Sequence, residues 1–277
     1  MAVEIASINS GSNGNCYYVG NQQEAVLIDI GLSCRETEIR MKKCGLDISK
    51  VKAIFVSHEH HDHIKGVSTL AHKYKLPVYI TPETALNGPR MIKHLSKPFS
   101  AHQPIDIGSL QIIPFKKEHD AADPHSFVVS SEGIHIGVIT DIGTVCEQVI
   151  HYFSQCHAAF LESNYDEVML KNGPYSELLK ARISGGKGHI SNRQAIELFS
   201  RHRSPHLSHL MLAHLSKENN SPELAKQLFE NCAGETHISV ASRYEAGQVY
   251  NISTSNTSTI KTMRTAMPVG IQKSLFD

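Results

Sequence analysis

FVSHEHHDHIKG, residues 55–66, places His58, His60, Asp62 and His63 within six positions, directly after the apolar run VKAIFV at 51–56. The run reads as a strand and the polar stretch as a loop, with a helix expected from about Ile64. Borderline metals such as zinc take imidazole nitrogens and carboxylates, so ligands bunched at a strand end can converge on one concave spot. His58 and His60 can serve one ion, and Asp62 and His63, in the next turn, a second. His61 falls off this spacing and is expected at the surface or behind the ligands. A loop of solvated histidines is the plainer alternative, but HxHxDH after a buried strand is a specific pattern.

The composition agrees with metal or proton-transfer chemistry. The chain of 277 residues carries 18 His, more than packing requires. Its 27 basic and 27 acidic residues cancel, so no bulk cationic field draws in a polyanion, and any such partner must meet a local patch. With 40% hydrophobic residues the chain can bury a large core, as one large domain or two small ones. The start, MAVEIASINSGSNGNC, lacks the basic-then-apolar layout of a signal peptide, and no apolar run is long enough to span a membrane. The expected location is the cytoplasm. Six scattered cysteines without a CxxC pair are expected to be reduced thiols.

Val- and Ile-rich runs predict strands at 3–8, 15–19, 25–29, 52–56, 77–80, 110–115, 126–130, 134–140, 157–161, 208–213 and 236–240. Helical periodicity predicts helices at 34–43, 64–74, 84–95, 144–153, 175–182, 191–201 and 222–231. Strands meander early and alternate with helices late, which points to an α/β (α+β) sandwich of two sheets with helices outside, an αββα layering. The folded domain is expected over 1–251. A Ser/Thr-rich tail, 252–277, follows it.

The HxHxDH stretch after an apolar strand resembles the metallo-β-lactamase fold superfamily. That resemblance implies further residues in chain order. Asp29 in VLIDIG (26–31) matches the buried Asp that supports the metal loop. His119 in KKEHDAADPHSF (116–127) matches the third ligand of the first metal. Asp141 in VITDIG (138–143) matches the carboxylate bridging both metals, and His214 in LAHLS (212–216) the last ligand of the second. The implied set is therefore His58, His60, Asp62, His63, His119, Asp141 and His214, holding two divalent ions such as Zn or Mn, with Fe as an alternative. Two such ions can generate hydroxide at neutral pH and clamp the charge developing on a phosphoryl or acyl oxygen. Asp62 would both bind metal and orient the nucleophile.

Fold alone does not choose a substrate. The bridging Asp resembles the phosphodiesterase branch, because class B lactamases usually carry Cys there. GGKGHISNRQAI (185–196) reads as a Gly-rich loop, a His and a Ser N-cap, and is similar to the HxS/T loop of ribonuclease Z. Backbone N–H groups of such a loop can receive phosphate. Lys187, Gly188, His189, Ser191 and Arg193 are the candidate phosphate contacts. FLESNYD (160–166) resembles the nearby Glu-bearing loop of that enzyme, so Glu162 paired with His189 could donate a proton to the leaving oxygen. Lys180, Arg182, Lys187, Arg193, Arg201 and Arg203 cluster around the loop and suit a backbone-tracking patch. The Gly/Ser/Asn loop at 9–15, with positions Gly11 and Asn13, is expected to line the pocket.

Asp141 and His214 lie 73 residues apart, too close for the cap domain of ribonuclease J-type enzymes. The whole pattern looks most like the YycJ/WalJ family. The stretches that carry this are SINSGSNGNCYYV, SHEHHDHIKG, EHDAADP, LESNYDEVML, GKGHISN and LAHLS, with Ser126 where relatives often have Gly. The resemblance implies a 5′-to-3′ DNA exonuclease. Alternatives are an RNA-processing, ribonuclease Z-like or small-nucleotide phosphodiesterase, a non-nucleic hydrolase such as a lactonase, and a non-catalytic, metal-stabilised regulatory protein. QKSLF, residues 272–276, resembles the peptide by which bacterial replication and repair proteins grip the DNA sliding clamp. Leu275 and Phe276 would fill an apolar pocket and Gln272 would hydrogen-bond at its rim. This implies DNA and the sliding clamp as partners, and work in DNA repair such as mismatch repair.

Overall fold

The computed structural model describes residues 2–88 and 94–254. The apolar runs become strands whose alternate faces are both covered, which is why most of their positions are buried. β1 (Val3–Asn9), β2 (Cys16–Gly20), β3 (Ala25–Ile28), β4 (Val51–Phe55), β5 (Val78–Tyr79) and β6 (Ser96–Lys97) follow one another across the first sheet. β7 (Ile105–Ile107), β8 (Leu110–Lys116), β9 (His125–Ser131), β10 (Ile134–Ile139), β11 (Ala158–Glu162), β12 (His209–Ala213) and β13 (His237–Val240) do the same in the second. β14 (Tyr250–Ile252) returns to the first sheet, antiparallel to β1.

Between the sheets lies a core that includes Tyr17, Phe55, Phe127 and Phe160. Phe55 meets Phe127 edge-on at 5.7 Å, and Tyr17 meets Phe160 at 4.9 Å, so aromatic pairs join β4 to β9 and β2 to β11. Outside the first sheet pack α1 (Cys34–Lys43) and α3 (Val67–Tyr74), which bury Met41 and Leu70. Between them in sequence, α2 (His61–Ile64) carries the metal-ligand pattern, and α4 (Pro82–Asn87) follows α3. Outside the second sheet, α5 (Glu147–Phe153), α8 (Asn192–His202) and α9 (Pro222–Glu230) contribute Phe153, Phe199 and Phe229. α6 (Glu167–Asn172) and α7 (Glu177–Ser184) sit on the loops between β11 and α8, and α7 buries none of its residues. The result is the expected αββα sandwich.

The helix expected at 64–74 is split at Gly66. There the backbone N–H donates to the Ile30 carbonyl at 2.8 Å, and a Cβ would lie 2.0 Å from the Leu32 oxygen. The chain is thus pressed onto the loop after β3. The helix expected at 84–95 ends at Asn87 with Gly88 extended at its C-cap. Pro89 follows in sequence, which disfavours helical backbone at the residue before it. β6, β7 and β14 are two or three residues long, too short for a periodic signal.

β3, β4 and β5 run parallel, as do β10 to β13, and their carboxyl ends share one edge of the sandwich. Open sheets gather ligands at such ends. Among the described residues no helix is long and apolar enough to cross a membrane, and all six cysteines are free.

Candidate metal centre

β3 ends into Asp29, β4 into His58, His60, Asp62 and His63, and β8 into His119. β10 ends into Asp141 and β12 into His214. Asp29, Asp141 and His214 adopt left-handed backbone, with φ of 58°, 55° and 55°. Such conformations cost free energy in non-glycine residues and gather where a site over-determines them.

Asp29 builds the floor. It is buried, and Oδ1 accepts from the Ser57 backbone N–H at 2.8 Å. Oδ2 accepts from the Ser57 hydroxyl at 2.7 Å and from His63 Nδ1 at 2.7 Å. Because the Ser57 proton goes to Asp29, its oxygen accepts from His58 Nδ1, 2.8 Å away. Both rings therefore turn an Nε2 toward the centre, held by hydrogen bonds on the far nitrogen of the kind that orient metal-ligating histidines. His119 Nδ1–H donates to the Gly188 carbonyl at 3.0 Å, leaving its Nε2 inward as well.

Four groups could each hold an ion: His58, His60 and His119; His58, His63 and Asp141; Asp62, His63 and His214; and Asp141, His189 and His214. Asp141 stands between the first and third. Its oxygens are 3.4 Å from His63 Nε2, 3.4 Å from His214 Nε2 and 4.0 Å from His119 Nε2. Asp62 Oδ2 lies 3.6 Å from both His63 and His214. Three atoms here, His119 Nε2, Asp141 Oδ2 and His214 Nε2, are buried without a hydrogen-bond partner. Orphaned polar atoms cost free energy unless something binds them, and three converging N and O donors suit divalent cations. All seven residues of the sequence pattern meet here, and the buried His/Asp clusters are consistent with a dinuclear metal site.

The electrostatics divide the centre. Burial holds His58 well below the usual imidazole range and His119 down at about 4, so both are neutral at pH 7. Burial also works against protonation of His63 and His214, yet the carboxylates outweigh it. Asp141, Asp29 and Asp62 hold His63 well above the usual range, and Asp141, Asp62 and Glu162 raise His214 to about 10. Burial disfavours the Asp62 anion, but His63 and His214 bring that carboxyl down to about 2.

Around the ligands lies a cavity of about 400 Å³, lined by Ser12, Asp120, Leu179, Arg182, Gly188 and His189 among others. Glu162 is fully buried. It accepts from His189 Nδ1 at 2.6 Å and from the Ile142 N–H at 2.6 Å. The expected Glu162–His189 pair is thus joined, with His189 on the cavity wall. Of the other expected contacts only Gly188 lines this wall. Ser191 spends its hydroxyl on the capping box of α8 and on Glu167. Arg193 pairs with Glu167 at 2.9 Å outside the cavity, and Lys187 is exposed beside Gly143. Asn13 donates to the Arg243 carbonyl, and Gly11 packs on the Arg243 guanidinium. The basic cluster is largely self-neutralised: Lys180 pairs with Glu177, Arg182 with Asp120 and Arg201 with Glu197. Arg203 donates to the Cys232 carbonyl and sits over Phe199. Arg182 is its one member on the cavity wall.

Sequence reasoning placed the 9–15 loop at the pocket, where Ser12 lines the wall, but did not single out Ser12 or Asn15, and it passed over Ser57. Asn15 is buried, its N–H donates to the Asp62 carbonyl at 2.7 Å, and its amide lies 3.2 Å from Asp62 Oδ2. Its place in the Gly/Ser/Asn loop was its only signal in the sequence. Gln272, Leu275 and Phe276 lie outside the described residues.

Residues 24–214 match the family described as the beta-lactamase superfamily domain. The chain belongs to the metallo-β-lactamase superfamily. This superfamily member is 34% identical to exodeoxyribonuclease YycJ of Bacillus anthracis over 249 residues, 88% of this chain and 94% of that one. It is 29% identical to exodeoxyribonuclease WalJ of Streptococcus pneumoniae serotype 2 (strain D39), over 87% of this chain and 91% of that one. Its fold matches the metallo-β-lactamase fold protein YhfI of Bacillus subtilis with a TM-score of 0.71 at 15% identity, covering 91% of this chain and 100% of that one. The chain is a metallo-β-lactamase hydrolase related to these exodeoxyribonucleases.

Proposed function

We propose that the protein is a dinuclear-metal phosphodiesterase acting as a DNA exonuclease, 5′ to 3′, in the cytoplasm. The observation that carries it is Asp141, placed with an unpartnered oxygen between two histidine groups, beside a Glu162–His189 pair on the same cavity wall. Similarity to two exodeoxyribonucleases over most of the chain supports DNA as the substrate. When bound, a pair of Zn or Mn ions supplies a nucleophile at neutral pH and stabilises charge on the transferring phosphoryl group.

The chain's own residues divide the remaining work. Asp62, with 22% of its side chain exposed at the mouth, orients the attacking oxygen. His189, with its Nδ1 fixed on Glu162, presents Nε2 to the cavity and can return a proton to the leaving oxygen. Arg182, anchored on Asp120 at 2.6 Å, offers its remaining N–H groups to a phosphate. The terminal QKSLF motif supports recruitment by the sliding clamp and a place in DNA repair.

The test uses linear DNA labelled separately at each end, with Zn and then Mn supplied, and Asp62→Ala protein beside the wild type. Stepwise loss from the 5′ end, absent in the variant, is expected. Intact DNA alongside cleaved RNA or small phosphodiesters would replace the DNA assignment.

A further inference from the structure

Next to the metal cavity lies a second pocket, of about 250 Å³, whose wall is predominantly apolar. Leu215, Pro222, Val240 and Tyr244 line it, and Arg243 closes one side. A cleft of about 180 Å³ joins the two. It shares Ser12, His189 and His214 with the metal cavity, and Leu215 and Ser216 with the apolar pocket. A continuous track therefore leads from the candidate metal ligands to an apolar pocket.

The junction is tied by hydrogen bonds. The Arg243 guanidinium donates to the Leu215 carbonyl at 3.2 Å and to the Ser12 hydroxyl at 3.4 Å. It packs so closely on Gly11, at φ +117°, that a Cβ there would lie 2.8 Å from Nη2. The turn beyond is pinned three ways. Asn13 donates to the Arg243 carbonyl, Arg40 to the Tyr244 carbonyl, and the Tyr244 N–H to the Ser242 hydroxyl. On this hydrogen-bonded turn Tyr244 is 72% exposed. An aromatic face held in water beside a guanidinium and an apolar pocket is the arrangement on which single-stranded bases stack.

We propose that this pocket takes an unpaired nucleobase of a single DNA strand whose adjoining phosphodiester lies in the metal cavity, with Tyr244 as the stacking surface. The inference rests on the DNA assignment above and adds the strand form that the enzyme grips, an unpaired end. A base in a duplex is already stacked on its neighbours and cannot enter.

The test measures binding of a single-stranded oligonucleotide to the full chain under chelator, so that DNA is bound but not cut, and then KM and kcat with ions restored. Tyr244→Ala is expected to weaken binding and raise KM by about 5- to 140-fold, the range for one stacked base. Tyr244→Phe, which keeps the ring, is expected to restore both. An abasic position scanned along the strand should weaken wild-type binding at one site, and that loss should vanish in Tyr244→Ala. Equal binding by wild type and Tyr244→Ala, or abasic and Tyr244→Ala losses that simply add, would overturn the pocket assignment. If the wild type neither binds nor cuts DNA, the functional assignment fails and takes this inference with it. If DNA is bound and cut but Tyr244 and the abasic scan have no effect, only the pocket assignment falls.

Discussion

Replacing Asp29 with alanine removes three hydrogen bonds from beneath the candidate metal loop without replacing a candidate ligand. The partners are the Ser57 N–H at 2.8 Å, the Ser57 hydroxyl at 2.7 Å and His63 Nδ1 at 2.7 Å, all buried. Each hydrogen bond to a charged acceptor contributes about 1.5–3 kcal/mol. The three share one carboxylate, so they do not add. The comparable change, removal of one partner from a buried ion pair, costs about 3–5 kcal/mol. Asp29→Ala is therefore expected to destabilise the ion-free protein by about 3–5 kcal/mol, aggravated by the left-handed backbone at φ 58°. Asn tolerates that backbone but brings an NH₂ against donors, so Asp29→Asn should lose about 1–3 kcal/mol. Urea unfolding with an unchanged m-value reads the stability, and competition with a chelator should read a 10- to 100-fold loss of metal affinity, roughly the range for losing a group that hydrogen-bonds a ligand. An Asp29→Ala protein within about 1 kcal/mol of wild type, with metal affinity intact, would refute the floor assigned to Asp29.

Gly31→Ala should fail to fold or lose its metal site, because the new Cβ would lie 1.7 Å from the Asp62 carbonyl oxygen; circular dichroism and metal analysis check this, and a native, metal-loaded protein would contradict it. His189→Ala should lower kcat by about 10²- to 10⁴-fold while both ions stay bound; loss of an ion would instead make His189 a ligand beside Asp141 and His214. In the ion-free protein the His214 pKa is raised to about 10, so the ring is protonated at pH 7 and must lose that proton to bind an ion through Nε2. Metal affinity should thus rise with pH across the neutral range, with proton release visible calorimetrically in buffers of different ionisation enthalpy; affinity independent of pH would contradict this. Removing residues 272–276 should abolish capture of the protein on immobilised sliding clamp, and capture equal to that of the full chain would dismiss the tail motif.

The sandwich was legible because long apolar strands such as β8 and β9 advertise themselves by composition, and the ligands sit just past strand ends. The HxHxDH stretch located the candidate metal loop, and Asp29, His119, Asp141 and His214 followed from the resemblance to the metallo-β-lactamase superfamily that this stretch carries. Partners fixed by tertiary contact were harder to read. The basic residues around α7 and α8 suggested a patch, but Glu177 and Glu197 pair locally with Lys180 and Arg201, and Glu167, brought by the fold, pairs with Arg193. Ser191 looked like a phosphate contact because an N-cap and an anion site use the same residue types; here the cap uses the hydroxyl. Asn15 and Ser57 are ordinary polar residues until the fold buries them beside Asp62 and Asp29. The left-handed backbone at Asp29, Asp141 and His214 is favoured only weakly by residue type, since Asp and His are enriched there.

The most direct measurement titrates ion-free protein with Zn or Mn and follows hydrolysis of end-labelled DNA. Activity should climb to a break at about two equivalents and be absent from Asp141→Ala protein of native spectrum. Hydrolysis by the fully chelated protein, or full activity in Asp141→Ala, would contradict a centre in which Asp141 joins two ions at the carboxyl edge of the sheets.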